Sequence, residues 1–212
     1  VRTLTNAFET GRIAHAFMLT GVRGVGKTTT ARILARALNY TGDGVDAPSI
    51  NLAHPGTHCE AIMDGSHIDV IEMDAASRTG IGDIREIIEN VRYAPAAARF
   101  KVYIIDEVHM LSKAAFNGLL KTLEEPPAHV KFIFATTEIR QVPVTVLSRC
   151  QRFDLRRLTP EDTSALLDKV SAAEDIKLTD EVTALIARAA AGAARDALSL
   201  LDRALAHAGA AG

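Results

Sequence analysis

The apolar positions of this chain fall into two textures. Up to about residue 157, short apolar runs alternate with amphipathic stretches. The runs at 16–20, 69–73, 101–106, 131–136 and 151–155 are five or six residues long, the length of buried strands. Behind the first three, apolar residues recur at helical spacing: Ala31, Leu34, Ala35 and Leu38; Ile81, Ile84, Ile87, Ile88 and Val91; Phe116, Leu119, Leu120 and Leu123. Ser112 is placed to cap the third of these helices and Pro126-Pro127 to stop it, while Ser77 or Thr79 can cap the second. Residues 1–9 read as the end of a helix that Gly11 stops, so the chain is expected to be an N-terminally trimmed piece. Pro143 opens a short helical piece that leads to Ser148-Arg149-Cys150. From Leu158 the pattern is helical only. Thr159-Pro160-Glu161-Asp162 is a helix start, two more helices follow at about 180–190 and 195–208, and Gly192 separates them. Strands alternating with helices predict an α/β fold with a five-stranded parallel sheet over 1–157. A small three-helix domain over 158–212 completes the expectation.

Composition narrows the function classes. The chain has 212 residues, 48% of them hydrophobic and 24% charged, with a net charge of −2. No apolar run approaches the roughly 20 residues of a membrane helix, and no secretory signal pattern is visible. Cys59 and Cys150 are the only cysteines, too few for a disulfide framework and in keeping with a reducing, cytoplasmic setting. The charge balance gives no broad basic footprint for nucleic acid. Any DNA contact is then local, through backbone amides, helix ends and a few basic residues. Arg78 and Thr79, at the start of the second helix, are candidates for holding a phosphate, with an ordinary helix cap as the alternative.

The chemistry concentrates at the strand ends. Gly21-Val22-Arg23-Gly24-Val25-Gly26-Lys27-Thr28 fits G-x-x-x-x-G-K-[ST], with a strand before it and a helix from Thr29 after it. Gly21, Gly24 and Gly26 let backbone N–H groups converge on phosphate oxygens. Lys27 reaches the β- and γ-phosphates, and the Thr28 hydroxyl is a Mg²⁺ ligand. The third strand ends in Asp106-Glu107. Asp106 is suited to hold Mg²⁺ through its water shell, and Glu107 to act as general base. Thr136-Thr137 closes the fourth strand with hydroxyls that could meet a γ-phosphate or the attacking water. The loop over 39–56 is long and irregular, and His54, His58, Cys59 and His67 lie at or beyond its end. They lack a C-x-x-C pair and a complete tetrahedral set, so no zinc is expected.

Together these stretches resemble the AAA+ ATPases. Within them, GVRGVGKTTTARILARALN, DVIEMDAASRTG, KVYIIDEVHMLSKAAFNGLLKTLEEPP, HVKFIFATTE, VPVTVLSRCQRFDL and ARDALSLLDRALA resemble the gamma/tau subunits of bacterial DNA polymerase III clamp loaders. The resemblance implies a P-loop sheet of AAA+ type with a helical lid, and an ATP- and Mg²⁺-dependent motor within the polymerase III holoenzyme. Its implied partners are the other loader subunits, the sliding clamp and primer-template DNA. By resemblance, Lys27 and Thr28 are Walker A, Asp106 and Glu107 Walker B, and Thr137 sensor 1. Arg195 is then sensor 2, and Arg149 an arginine finger acting in trans on a neighbour's ATP. The family's four-cysteine zinc module is not matched: Tyr40 stands at its first cysteine and only Cys59 at its last. The family's N-terminal segment and C-terminal collar are not among these residues. Rival readings are a related branch-migration helicase or helicase loader, and a nucleotide-dead structural subunit.

Overall fold

A computed structural model describes residues 2–42, 44–45, 47–77 and 81–210. In chain order its main elements are α1 (Arg2–Glu9), β1 (Ala16–Thr20), α2 (Lys27–Leu38), α3 (Cys59–Met63), β2 (Val70–Asp74), α4 (Ile81–Val91) and β3 (Lys101–Asp106). There follow α5 (Lys113–Glu124), β4 (Val130–Thr136), α6 (Val144–Leu147), β5 (Gln151–Asp154), α7 (Pro160–Ala173), α8 (Asp180–Ala190) and α9 (Ala194–Ala210). Single 3₁₀ turns, Val108–Met110 and Ile139–Gln141, follow β3 and β4.

The five strands form one parallel sheet in the order β2-β3-β4-β1-β5. β4, wholly buried, lies between β1 and β3, with Phe132 opposite Ala16 and Tyr103. This arrangement sets the C-terminal end of β4 beside that of β3, although 30 residues separate Glu107 from Thr137 in the chain. The sheet buries Tyr103, Phe132 and Phe134 in a stacked row, against Ile84 and Ile87 of α4 and Phe116 and Leu119 of α5. Apolar side chains at helical spacing thus cover an almost continuously apolar sheet face, which is what holds a parallel sheet out of water.

The chain divides into two compact units, residues 1–20 with 28–153, and residues 21–27 with 154–212. In the second, α7, α8 and α9 bury Leu167, Ile186, Ala190, Ala197 and Leu201 against one another. Its helix starts follow local rules. The Thr159 hydroxyl accepts from the Asp162 N–H at 3.1 Å with Pro160 in the first turn, and the Thr179 hydroxyl accepts from Val182 N–H at 3.4 Å. Ala191 and Gly192 take positive φ, 48° and 81°, and turn the chain between α8 and α9. In the first unit, Ser112 caps α5 as expected, accepting from Ala115 N–H at 3.2 Å.

Strand bounds shift by a residue in places. β2 runs one residue later than the apolar pattern implies, because Asp69 is buried and committed elsewhere: its carboxylate accepts the N–H groups of Ala96, Ala97 and Ala98, each at 2.7 Å. Burial alone would raise its pKa, but these three bonds and the nearby His67 hold it below the ordinary aspartate value. The Ser77 hydroxyl donates to Asp74 Oδ2 at 3.3 Å. The alternative cap Thr79, and Arg78 with it, lie outside the described residues.

Candidate functional site

In the first unit the site is built on the ends of β3 and β4 and the start of α2. Thr28, in the first turn of α2, donates its hydroxyl to Asp106 Oδ2 at 2.5 Å. Asp106 Oδ1 accepts the N–H of Glu107 at 2.9 Å. These two donors fix the Asp106 carboxylate, and with Glu72, Met73, Asp74 and Ile104 the Thr28–Asp106 pair lines a cavity of about 210 Å³. Asp74 ends β2 directly opposite Asp106 in the register. Glu72, deeper in the strand, is already neutralised by a two-pronged contact with Arg32, at 2.6 and 2.8 Å.

Glu107 adopts φ 47°, ψ 43°. For a residue with a side chain the left-handed region costs roughly 1–2 kcal/mol, and such strain gathers at functional sites. The turn swings the Glu107 carboxylate back toward β4, where Oε2 accepts the Thr137 hydroxyl at 2.9 Å. His109 Nδ1 lies 3.4 Å from the same Oε2 and 2.9 Å from Thr136 Oγ1. The Thr136 hydroxyl oxygen in turn accepts the Glu138 N–H at 3.0 Å. Thr28, Asp106, Glu107 and Thr137 therefore stand in one connected network.

In the second unit the loop 21–27 is held by its own polar groups and by the start of α9. Lys27 is 6% exposed, and its Nζ donates to the carbonyls of Gly21 and Val22 at 3.0 and 3.1 Å. Gly24 and Gly26 take φ of 78° and 97°, as the glycine spacing predicts. The Gly24 carbonyl accepts the N–H of Arg195 at 3.1 Å. A Cβ on Gly24 would come within 3.3 Å of Ala193 and 3.4 Å of Arg195, so the glycine also permits this close approach. Arg195 is exposed at the head of α9, and Arg23 and Thr29 are exposed as well.

Arg149 stands apart from these groups. It follows α6, where one guanidinium nitrogen donates to Thr145 O at 2.6 Å and another pairs with Glu124 Oε1 of α5 at 2.7 Å. Val144, on the same short helix, is 78% exposed.

Three of the four residues weighed for zinc, His58, Cys59 and His67, make other bonds. Cys59 Sγ accepts from Arg36 Nε at 2.8 Å and from Gly56 N–H at 3.1 Å, while His58 Nδ1 and His67 Nε2 pair with each other at 3.0 Å. Among the described residues no group of three or more His, Cys, Asp and Glu side chains is placed to hold a metal ion. Buried Tyr40 packs on Gly56, and Arg99 binds the Leu38 and Tyr40 carbonyls at 3.0 and 3.2 Å. Packing and two arginines anchor the long loop.

A family profile described as DNA polymerase III, delta subunit, matches residues 1–159. A second, described as DNA polymerase III clamp loader subunit, ATPase lid domain, matches residues 163–210. The chain belongs to the DNA polymerase III clamp-loader family. It is 49% identical over 208 residues to DNA polymerase III subunit tau of Bacillus subtilis, covering 98% of this chain and 36% of that protein. It is 50% identical over 203 residues to subunit tau of Escherichia coli, covering 96% and 31%. The chain thus spans about a third of these curated relatives. Among solved structures, the RuvB Holliday junction branch migration motor of Thermotoga maritima superposes with a TM-score of 0.65 at 20% identity, over 95% of this chain and 59% of that one. At that identity the likeness is one of fold alone.

One residue in the site of this clamp-loader chain was not singled out by pattern, His109. Its signal was available: it is the one polar side chain in the run Val108–Leu111, immediately behind an acidic pair.

Proposed function

We propose that the chain is the ATP-binding and ATP-hydrolysing part of a clamp-loader subunit, with 1–157 the nucleotide-binding module and 158–212 its lid. The observation that carries this reading is the network of Thr28, Asp106, Glu107 and Thr137 at the strand ends. A hydroxyl and a carboxylate oxygen in contact are hard ligands that suit Mg²⁺. Thr28 and Asp106 would hold that ion, which when bound neutralises charge developing on the phosphates. The N–H groups of 21–27 and the Lys27 ammonium, now on two loop carbonyls, would bind the β- and γ-phosphate oxygens, with Thr29 and the helix start behind them. Glu107 would take a proton from water as the water oxygen bonds to the γ-phosphorus. The bond to the β–γ bridging oxygen breaks, and its electron pair leaves with ADP. Thr137 holds Glu107 in place for this step, and Arg195 serves the same chain's γ-phosphate.

Arg149 serves a neighbouring subunit. Its partner Glu124 is half exposed, and such a surface pair is worth only about 0–1 kcal/mol. A triphosphate on an adjacent subunit can therefore outcompete it. ATP binding would favour an assembly that opens a sliding clamp and grips primer-template DNA, and hydrolysis would release the clamp closed on DNA. The subunit would act in the cytoplasm with other loader subunits as part of the polymerase III holoenzyme. No helix among the described residues is long and apolar enough to cross a membrane.

The test is the ATPase rate of the full-length subunit in its assembly, titrated with clamp and primed DNA. Stimulation by both is expected, and a rate that responds to neither overturns the clamp-loading role. Glu107→Gln should keep ATP binding and slow single-turnover hydrolysis by about 10²–10⁴-fold. Arg149→Ala should cost the assembly about 10³–10⁵-fold in turnover with ATP still bound. An equal loss in the isolated, monomeric subunit would place Arg149 in cis.

A further inference from the structure

We infer that His109 is a positioning residue for hydrolysis: its Nδ1–H, hydrogen-bonded to Thr136, also faces one carboxylate oxygen of Glu107, Oε2, and with the Thr137 hydroxyl orients that carboxylate so that Oε1 takes the proton from water. The inference rests on the ATPase reading above. It is carried by the contacts of His109, which this reading does not use.

His109 sits in the 3₁₀ turn Val108–Met110, which is closed by Met110 N–H on the Glu107 carbonyl at 2.9 Å and Leu111 N–H on Val108 O at 3.1 Å. The turn is short and pinned on its inner side by fully buried Val108, so the imidazole has little room to move. Its side chain is 8% exposed, and Nδ1 faces two oxygens at once, Thr136 Oγ1 at 2.9 Å and Glu107 Oε2 at 3.4 Å. An ionised carboxylate can only accept. A lone pair on Nδ1 would repel Oε2, whereas a proton there is attracted to both oxygens. The site therefore selects the tautomer with hydrogen on Nδ1. Thr136 anchors it, since its oxygen is fixed by the Glu138 N–H at the end of wholly buried β4.

The two Glu107 oxygens are then unequal. Oε2 faces the Thr137 hydroxyl and the His109 N–H, while among the described residues Oε1 has no hydrogen-bond partner. One hydroxyl alone would leave the carboxylate free to swivel about that contact. The positive end of the His109 N–H dipole, 3.4 Å away on a different element, biases the carboxylate toward one orientation. A general base has to come within about 2.6–3.2 Å of the proton it takes, and a misplacement of about 1 Å costs roughly 10²-fold.

The experiment compares His109→Asn with His109→Gln in the full-length subunit within its assembly. The Asn amide nitrogen can occupy the place of Nδ1, whereas the Gln amide falls near Nε2, so the two variants match in polarity and differ in the one contact at issue. His109→Asn should keep kcat within a few-fold of wild type. His109→Gln should lose about 10- to 10²-fold in kcat, on the scale of a misplaced base, with ATP affinity unchanged in both. Because His109 acts through Glu107, adding His109→Gln to Glu107→Gln should slow hydrolysis no further. The inference is overturned if Asn and Gln lose alike, if KM rises while kcat stays, or if the double variant shows multiplied losses. A wild-type assembly that does not hydrolyse ATP defeats the underlying ATPase reading. A normal wild type with a crippled Glu107→Gln and an unimpaired His109→Gln defeats this inference alone.

Discussion

Lys131 offers a test of the packing that supports the site. It is 3% exposed near the start of β4, where its Nζ donates to the carbonyls of Ile13 and Ala14 at 3.2 and 3.1 Å and lies 5.0 Å over the Phe100 ring. Burial pushes its pKa down from 10.5 to about 8. The folded chain therefore releases this proton near pH 8, while the unfolded chain keeps it until about 10.5. Stability rises with pH wherever the unfolded state binds more protons, so Lys131 makes the fold more stable across that window. At about 1.4 kcal/mol per pH unit, the interval from about 8 to 10.5 amounts to about 3 kcal/mol. Two other groups pull the opposite way. Burial raises the Cys150 thiol from 9.0 and the Tyr103 phenol from 10.0, each to about 12, so the folded state holds their protons longer and loses stability as pH rises past 9 and 10. The wild-type curve alone is a sum of these effects. Its difference from Lys131→Met, which keeps the aliphatic length and removes the titration, isolates the lysine. Urea unfolding followed by far-UV circular dichroism, from pH 7.5 to 10.5, supplies both curves. Wild type should gain about 3 kcal/mol on the variant across this range, whatever their offset at pH 7.5. Parallel curves would refute the reasoning, because they would mean Lys131 titrates alike in the folded and unfolded chain.

Two further substitutions probe particular local devices. Gly192→Ala meets both a φ of 81° and a backbone oxygen, since its Cβ would lie 2.6 Å from Leu158 O. It should cost more than the roughly 1–2 kcal/mol of the conformation alone, whereas Gly11→Ala, at φ 67° with nothing within 4 Å, should cost only that much; thermal unfolding showing equal losses would rule out the clash. Asp69→Asn removes the charge that three N–H groups share, at a cost of about 1.5–3 kcal/mol in denaturant unfolding near neutral pH. Because the folded Asp69 titrates below its ordinary value of 3.8, this stabilisation is present above that pH and fades as the pH falls through it. A gap between wild type and variant that persists unchanged into strong acid would contradict that assignment.

Much of the fold was legible along the chain because its signals are local. The apolar runs that became β1, β3 and β4, the helical spacing of α4 and α5, and the caps at Ser112 and Thr159 each depend on residues within a few positions of one another. The loop from Gly21 to Thr28 and the Asp106-Glu107 pair were legible for the same reason: their chemistry is written in adjacent residues. Tertiary structure decided what lies next to what. Only the strand order β2-β3-β4-β1-β5 brings Thr137 to Glu107, and no periodicity encodes that order. Nothing local marks Glu107 for a left-handed turn, a conformation that glycine takes most readily. Arg149 stands in the sequence as the middle of Ser-Arg-Cys, and only the packing of α5 and α6 sets Glu124 beside it. Cys59, His58 and His67, close in sequence, take different partners, Cys59 with Arg36 and the two histidines with each other. Periodicity is a property of neighbours along the chain, whereas a hydrogen bond between side chains 30 residues apart exists only once the sheet between them has formed.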